Sequence, residues 1–570
     1  MRPTVDGYVL YRLVHLSCLL TPVLQMFHPA DLLSPHPLPK QTSVFAGASR
    51  GDKAKQLEIQ DLILDRDDAG GILEIVGSSL DGFSHINGVT ALYRIARSLT
   101  SRAGRLRRKE ASFVVEDRRF KSLVEFVERN SKKLDRVGLE NRKWAYHKLM
   151  LPSEYRSRAA HAVRQLDKAK DLQGDLLDAT DVEQILVAVE DDFEIFNKVN
   201  VSTAVHRVAR LATTRMPGVA PVDVGRLKAD TRLHKLMALV EEKAPEMAIV
   251  SVANALWAMA RLQWAGSGGT VDALARRASR ECVGGEPRHL STVMWALAVL
   301  GHEPRSRLLA AVGDRAVEKA DRFKAPDIVN MLWAYARWHR TAAGGAPGSS
   351  STVDALCRVA LRELETFTPY QCANLAWSLA MLEVDLPSPR ALGMILDRAA
   401  QEPGKLDPTA LTHTLWAVGV KGTEMDGNSG SFQTLLAEAA RRASTKKIGR
   451  TGAAGVVWAC GRLRVTPRPG ESDALLGRLL GEGVNERGGK DGGTRPLKPL
   501  ESQALVHAVW GVSQMDGVTM SEPHRAAALE HAKRLAGGGK MSAAHAEALR
   551  ASAAGAGLDP RQMEAALAGA

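Results

Sequence analysis

The stretch ANALWAMARL at residues 253–262 decides the fold, because the chain repeats it six more times in altered form. Each phrase has a tryptophan at the same position, and these seven are most of the ten tryptophans of the chain. A single globular core has no reason to repeat itself, so the sequence predicts an array of similar small units. The later copies are STVMWALAVL (291–300), VNMLWAYARW (329–338), ANLAWSLAML (373–382), THTLWAVGVK (412–421), AAGVVWACGRL (453–463) and ALVHAVWGVSQM (504–515).

The distances between these tryptophans define the size of the unit. Successive tryptophans are 38, 38, 44, 39, 42 and 52 residues apart, and the longer intervals contain polar, glycine-containing insertions at 340–351, 422–431 and 481–496. The underlying period is therefore about 38 residues, the size of a helix pair in a solenoid. The tryptophans are Trp257, Trp295, Trp333, Trp377, Trp416, Trp458 and Trp510.

Each unit is predicted to contain two helices. Amphipathic runs such as 270–282 and 352–365 precede the tryptophan phrases and predict a first helix. Thr368 before Pro369, and Asp407 before Pro408, are predicted N-caps of second helices that carry the phrase. We therefore predict an all-α fold, a right-handed α-solenoid of helix-pair repeats of the armadillo, HEAT or octotricopeptide-like kind.

Fainter copies lie upstream. Residues 72–97 match residues 185–210 at a constant offset of 113, with Tyr93 and His206 in the tryptophan position. A further degenerate copy, NRKWAYHKL, lies at 141–149. The predicted organisation is a targeting segment and flexible linker (1–55), degenerate N-terminal helical repeats with a basic region (56–215), octotricopeptide-like repeats (216–520) and C-terminal capping helices (521–570).

The charge of the chain is unevenly distributed. The formal net charge is +12, and residues 101–170 contain 20 Lys and Arg against 9 Asp and Glu, which accounts for nearly all of it. Such a basic block favours a polyanionic partner, most often nucleic acid. The alternative interpretation is a solvated face of charged helices.

The N-terminal stretch is predicted to be a targeting segment and not a membrane anchor. It is apolar over about twenty residues but contains Arg12, His15 and Pro22, and a charged side chain inside a membrane span costs about 2–3 kcal/mol. We therefore expect a removable targeting segment, followed by a flexible stretch at residues 28–55, and no membrane partner.

Signals for catalysis or a cofactor are missing from the sequence. The five cysteines form no CxxC pair and no Cys/His cluster, so neither a metal site nor a disulfide framework is expected. P-loop, GxGxxG and HExxH motifs do not occur. Asp191 with Asp192, and the DRDD run at 65–68, are interpreted as caps or solvated turns. We predict no catalytic residue, no cofactor and no enzymatic activity.

At the repeated phrases the sequence resembles the octotricopeptide-repeat proteins of algal organelles and the related mitochondrial FAST-kinase-like and RNA-editing substrate-binding complex proteins. This resemblance implies an RNA-binding solenoid with a transit peptide, located in a mitochondrion or plastid, that acts on transcript stability, processing, editing or translation. Many such proteins end in a nuclease-like RAP domain, and no counterpart follows residue 521, which puts cleavage in doubt. The motifs are the LWAxA phrases at 256–260, 332–336 and 415–417, TPYQCANLAW (368–377), and the segments ending at Arg97 and Arg210.

Two rows of side chains on the second helices are the candidate RNA-binding positions. Residues three before, one after and four after the tryptophan share a helix face. The position three before is polar in eight of nine copies, and arginine recurs one and four residues after. Polar side chains can reach base edges while arginines neutralise phosphates or stack on bases. The predicted RNA-binding residues are Arg94, Arg97, Thr203, Arg207, Arg210, Asn254, Arg261, Thr292, Asn330, Arg337, Asn374, His413, Arg462 and His507, and the rows also include Thr90, Gly455 and Gln514.

A structural interpretation of these rows remains open. Asn, Thr and His can satisfy neighbouring backbone groups, and exposed arginines can simply solvate a helix. We expect an organellar protein that binds single-stranded RNA, acts by occupancy and also contacts RNA-processing proteins. The alternative is a protein-binding scaffold of the armadillo or tetratricopeptide kind, and a third, minor one is an enzyme with a cryptic C-terminal nuclease domain.

Overall fold

The computed structural model describes most of the chain after the first 49 residues. The predicted targeting segment and most of the linker that follows it lie outside the described residues, as do most of the two insertions that begin at 340 and 422. The described ranges are 50–100, 106–214, 221–264, 268–303, 305–341, 350–382, 390–421, 430–481, 485–487, 494–496 and 500–568.

The described residues form two compact units, 50–284 and 285–568. The helices of the N-terminal unit are α1 (Arg50–Leu64), α2 (Ala69–Ser79), α3 (His85–Ser98), α4 (Arg108–Glu116), α5 (Arg118–Arg129), α6 (Arg136–Lys148), α7 (Ser153–Asp178), α8 (Val182–Asp191), α9 (Lys198–Thr213), α10 (Val224–Lys228), α11 (Thr231–Lys243), α12 (Ile249–Leu262) and α13 (Gly268–Glu281).

The C-terminal unit is also helical, apart from one pair of short antiparallel strands between two helices. Its elements are α14 (Pro287–Val299), α15 (Ser306–Glu318), α16 (Ala325–Thr341), α17 (Ser350–Arg362), α18 (Pro369–Leu382), α19 (Ala391–Ala400), α20 (Pro408–Lys421), α21 (Gly430–Ser444), α22 (Arg450–Leu463), α23 (Pro469–Leu480), β1 (Asn485–Arg487), β2 (Thr494–Pro496), α24 (Ser502–Ser513), α25 (Glu522–Gly537), α26 (Ala543–Ser552) and α27 (Pro560–Ala566).

A short connection recurs between the first and second helix of a unit. The first helix ends in a 3₁₀ turn, and the next residue is extended, apolar and buried, as Phe83, Phe196 and Phe367 are. A capping residue then begins the second helix. The predicted caps are confirmed: Thr368 Oγ1 accepts a hydrogen bond from the Gln371 amide at 3.3 Å, and Asp407 Oδ1 accepts from two amides at 2.7 and 2.8 Å.

The helices of each unit pack on their neighbours in chain order, which confirms the predicted all-α fold of stacked helices. In the N-terminal unit α3 packs on α6, α6 on α7, α7 on α9 and α9 on α12, while α8 packs on α11 and α11 on α13. In the C-terminal unit the even-numbered helices from α14 to α26 form one such series and the odd-numbered helices from α15 to α27 form the other. Six of the seven tryptophan phrases lie on the even-numbered series, and the first lies on α12 of the N-terminal unit. These helices, together with α3, α6 and α9, which carry the upstream copies, are the second helices, and those of each unit form its second-helix layer.

Small residues follow the tryptophan in each of the seven phrases and allow neighbouring second helices to approach closely. The residues one and three after the tryptophan are Ala, Gly or Ser in all seven copies. The closest approach joins α22 and α24, where a Cβ added to Gly461 would overlap the backbone of Gly511, and one added to Gly511 would lie 2.6 Å from the Val457 carbonyl oxygen. Glycine is required here because backbone touches backbone.

A bilayer-spanning length of apolar residues does not occur in any helix that the structure describes.

Replacement of Gly461 by Ala should destabilise the C-terminal unit by about 1–3 kcal/mol, because the new methyl group has no space. Gly393→Ala in α19 is the matched control, since a Cβ there meets nothing within 4 Å and a helical Gly→Ala change stabilises by about 0.5–1 kcal/mol. Urea denaturation followed by circular dichroism measures both. A G461A chain as stable as G393A would contradict the close approach of α22 and α24.

Candidate nucleic-acid interface

The tryptophans of the second helices form joints between neighbouring helices. Six of the seven are 1% to 9% exposed, and Trp510, in the last copy, is half-buried. The ring centroids of Trp416 and Trp458 lie 6.4 Å apart at an interplanar angle of 30°, and those of Trp458 and Trp510 lie 6.3 Å apart at the same angle. The indoles therefore hold α20, α22 and α24 together.

The polar row three residues before the tryptophan lies at the same joints. His413 stacks on Trp377 of the preceding second helix, with ring centroids 6.2 Å apart and planes 22° from parallel. His507 lies 5.7 Å from the Trp458 ring. A Cβ on Gly455 would lie 3.8 Å from Trp416. This row therefore faces the preceding indole as well as the solvent side of the layer.

Other members of the polar row are largely buried. The Thr292 hydroxyl donates to the Arg288 carbonyl oxygen of its own helix at 2.6 Å. Asn330 is 4% exposed and Asn374 is 7% exposed. Asn254 is half-buried. Any RNA contact by Asn330 or Asn374 therefore requires the side chain to emerge from the joint.

In the first upstream copy the polar row is part of a network that joins two helices, α1 and α3. Asn87 donates to the Gln56 carbonyl oxygen at 3.0 Å and to Gln60 Oε1 at 2.8 Å, and Gln60 Nε2 donates to Thr90 Oγ1 at 3.2 Å. Asn87 also completes a capping box with Ser84 at the start of α3. Thr90 thus has an intramolecular partner.

The same network occurs again 113 residues later. Asn200 donates to the Ala169 carbonyl oxygen at 2.9 Å and to Gln173 Oε1 at 3.0 Å, and Gln173 Nε2 donates to Thr203 Oγ1 at 2.9 Å. The internal similarity found in the sequence therefore extends to individual hydrogen bonds, and it includes Thr203.

The arginines one residue after the tryptophan position also bond within the protein. Arg94 Nη2 donates to the Arg66 carbonyl oxygen at 2.8 Å and pairs with Asp67 at 3.1 Å. Its counterpart Arg207 donates to the Ala179 carbonyl oxygen, and burial together with the charge of Arg210 lowers the pKa of the Arg207 guanidinium. For these two arginines the geometry matches the interpretation that their side chains stabilise the fold and do not bind RNA.

The arginines four residues after the tryptophan position divide into two groups. Arg261 is 9% exposed, lies over the Trp257 ring at 5.9 Å and donates to Thr213 Oγ1 at 3.2 Å, and burial lowers its pKa. The side chains of the remaining four make no hydrogen bond or ion pair with any other residue that the structure describes. They are Arg97, which is exposed, and Arg210, Arg337 and Arg462, which are half-buried.

Three aromatic and basic residues of the upstream copies were not among the predicted RNA-binding residues. Tyr93 and Trp144 occupy the tryptophan positions of α3 and α6, and their ring centroids lie 5.1 Å apart. Lys148 Nζ lies over the Trp144 ring at 5.9 Å. The signal was present in the sequence, because Lys148 follows Trp144 by the same four residues as the predicted arginines follow their tryptophans.

The basic block of residues 101–170 folds mainly into α4, α5, α6 and the first part of α7. Some of its charge is used internally: Arg142, which is 3% exposed, pairs with Glu128 at 3.0 Å. Eight of its cations are exposed and make no side-chain hydrogen bond or ion pair with any described residue. They are Arg108, Lys109, Arg118, Arg129, Lys132, Arg164, Lys168 and Lys170.

Comparison of the sequence with models of known protein families and with curated proteins gives no match. Among the described residues no three His, Cys, Asp or Glu side chains are arranged to hold a metal ion. The second helices carry four arginines whose side chains make no hydrogen bond or ion pair with a described residue, and such cations suit binding of a polyanion.

The buried histidines should make stability depend on pH. Burial lowers the pKa of His413 to about 4, so the unfolded chain takes up protons more readily than the folded one. The free energy of unfolding should be constant above the ordinary histidine pKa near 6.5 and fall as the pH drops towards 4. At pH 5, the His413→Phe variant should retain about 2 kcal/mol of the free energy of unfolding that the original chain loses. The phenyl ring keeps the stacking on Trp377.

Urea denaturation of the full chain between pH 8 and 4.5 measures this dependence. His161→Phe on α7 is the control, because His161 is exposed and its replacement should leave the pH dependence unchanged. An identical pH profile for H413F and the original chain would contradict burial of a neutral imidazole at this joint.

Proposed function

We propose that this protein is an RNA-binding helical-repeat protein of the octotricopeptide or FAST-kinase-like type. In this proposal the stacked helices form a right-handed solenoid with a period of about 38 residues. Its location is a mitochondrion or plastid, and it acts on transcript stability, processing, editing or translation. The resemblance at the tryptophan phrases and the basic charge of the chain support this assignment.

The observation that carries the proposal is the set of four arginines at one repeat position. Arg97, Arg210, Arg337 and Arg462 all lie four residues after the tryptophan position, and none is neutralised by a carboxylate that the structure describes. Burial lowers the pKa of the half-buried Arg337, so leaving its cation unpaired is costly. A phosphate group would neutralise such a cation and accept bidentate hydrogen bonds from its guanidinium.

The polar row would contribute less directly than the arginines. Thr203 and Thr292 are engaged in the fold, and Asn330 and Asn374 are buried at helix joints. Asn254, His413 and His507 lie at partly open positions of the same row and remain the better candidates for contacts to base edges. Arg94, Arg207 and Arg261 are assigned to holding the helices together, with RNA contact as a secondary role.

A protein that acts only by occupying the RNA strand needs no catalytic residues. A strand held along the second-helix layer by phosphate contacts is shielded from nucleases and kept unpaired, and RNA-processing enzymes can be recruited to it. A scaffold for protein partners is the competing assignment, and the binding experiment separates the two.

The test is RNA affinity as a function of salt. A quadruple variant with Arg97, Arg210, Arg337 and Arg462 changed to Gln should bind a labelled 20-nucleotide oligouridylate more weakly. The slope of log affinity against log salt should also become shallower by about 2 to 3, because each phosphate contact on a single strand contributes about 0.7. Fluorescence anisotropy at four salt concentrations measures both quantities.

The matched control changes the same number of charges elsewhere. Lys235, Arg276, Arg307 and Lys533 are exposed and are not on the second helices, so their replacement by Gln should change the slope much less. Equal losses in the two quadruple variants would show that charge alone attracts RNA. Absence of RNA binding by the original chain would overturn the proposed function and favour a protein partner.

A further inference from the structure

One aromatic pair in the second-helix layer differs from the others. At the joint between α3 and α6, Tyr93 and Trp144 are both half-buried, whereas the indoles from Trp257 to Trp458 are at most 9% exposed. Their rings are tilted by 48°, compared with 22° for Trp377 and His413. Part of the aromatic surface at this joint is therefore open to solvent and is not fully covered by its partner.

Two cations stand one helical turn beyond these rings. Arg97 follows Tyr93 by four residues and Lys148 follows Trp144 by four, so each lies on the same helix face as its ring. Arg97 is exposed and makes no hydrogen bond or ion pair with a described residue, and Lys148 Nζ lies 5.9 Å from the centre of the Trp144 ring. The open rings and the two cations therefore share one surface.

The stretch of sequence that contains Trp144 is strongly basic. The pair belongs to the same unit as the exposed cations of the 101–170 block, and Trp144 and Lys148 lie within that block. A surface that combines open aromatic rings with a surplus of cations fits a ligand that carries both π-faces and negative charge. Single-stranded nucleic acid has both, while an acidic peptide has only the charge.

We propose that Tyr93 and Trp144 form a base-stacking site for single-stranded RNA, with Arg97 and Lys148 binding the adjoining phosphates. This inference rests on the proposed function and names the site where the strand is held most firmly. A base stacks on the open part of the indole and phenol rings. The ammonium group of Lys148 is carried on a long flexible side chain and, in this proposal, turns from the Trp144 ring towards the phosphate.

Stacking contacts and phosphate contacts differ in their effect on the salt dependence of RNA affinity. Stacking on an aromatic ring does not release counterions, so its loss lowers affinity at every salt concentration by the same factor. Loss of a phosphate contact lowers affinity and also flattens the salt dependence. A merely structural role for Tyr93 or Trp144 would instead appear as a loss of thermal stability.

The experiment compares variants of the full chain with a labelled 20-nucleotide oligouridylate. Tyr93→Leu and Trp144→Leu should each weaken binding about tenfold with an unchanged salt slope, and Trp144→Phe should restore most of the affinity. The double variant R97Q/K148Q should weaken binding and reduce the slope by about 1.4. Circular dichroism and the midpoint of thermal unfolding verify that each variant is folded.

Phe113→Leu is the matched control. Phe113 is 79% exposed on α4 in the same basic block, but the described residues place no second ring beside it, so F113L should leave the affinity unchanged. Equal losses for F113L and W144L would overturn the assignment of the site. A 20-base-pair RNA duplex and polyglutamate should compete poorly, and effective competition by polyglutamate would identify an acidic protein surface as the partner.

The outcomes separate the two proposals. If the original chain binds the oligouridylate and Y93L and W144L bind as tightly as it does, the stacking site is wrong while the proposed function stands. If the original chain does not bind single-stranded RNA, the proposed function fails and the stacking site fails with it. If W144L unfolds, Y93L and the W144F comparison decide the question.

Discussion

The packing of an indole between small residues is the constraint on which the second-helix layer depends. A tryptophan is the largest side chain, and in this layer it is buried where two helices approach closely. That is possible only because the positions one and three residues later are Ala, Gly or Ser in every copy. The repeated phrase therefore encodes one packing arrangement. A large ring is followed by small residues, and these leave space for the neighbouring helix.

The fold could be predicted from the sequence because this arrangement has a period. The tryptophan spacing predicted stacked helices, and the Thr-Pro and Asp-Pro pairs predicted where α18 and α20 begin. The recurrent 3₁₀ turn between first and second helices was not predicted, because its only regular feature is a single buried apolar residue such as Phe367. The short strand pair within the third insertion also has no periodic signal in the sequence.

The candidate site could be predicted only in part. Helical spacing correctly groups residues on one face, but it does not show how much of that face a neighbouring helix covers. His413 and Asn374 share a repeat position with Asn254, yet His413 stacks on an indole and Asn374 is 7% exposed. Likewise Arg97 and Arg261 occupy equivalent positions, and only Arg261 has Thr213 within reach. These differences arise from neighbours that are distant in sequence, which a single-helix pattern does not contain.

The contact of Gly461 with Gly511 also governs how the C-terminal unit can move. Where helices meet through side chains, a change of rotamer lets one helix slide or tilt against the next at little cost. Here no side chain fits between Gly461 and Gly511, so side-chain rotation at this point cannot absorb a displacement. The α22–α24 pair therefore behaves as a stiff segment, and any bending or stretching of this unit on engaging a ligand is confined to joints that have side chains between them.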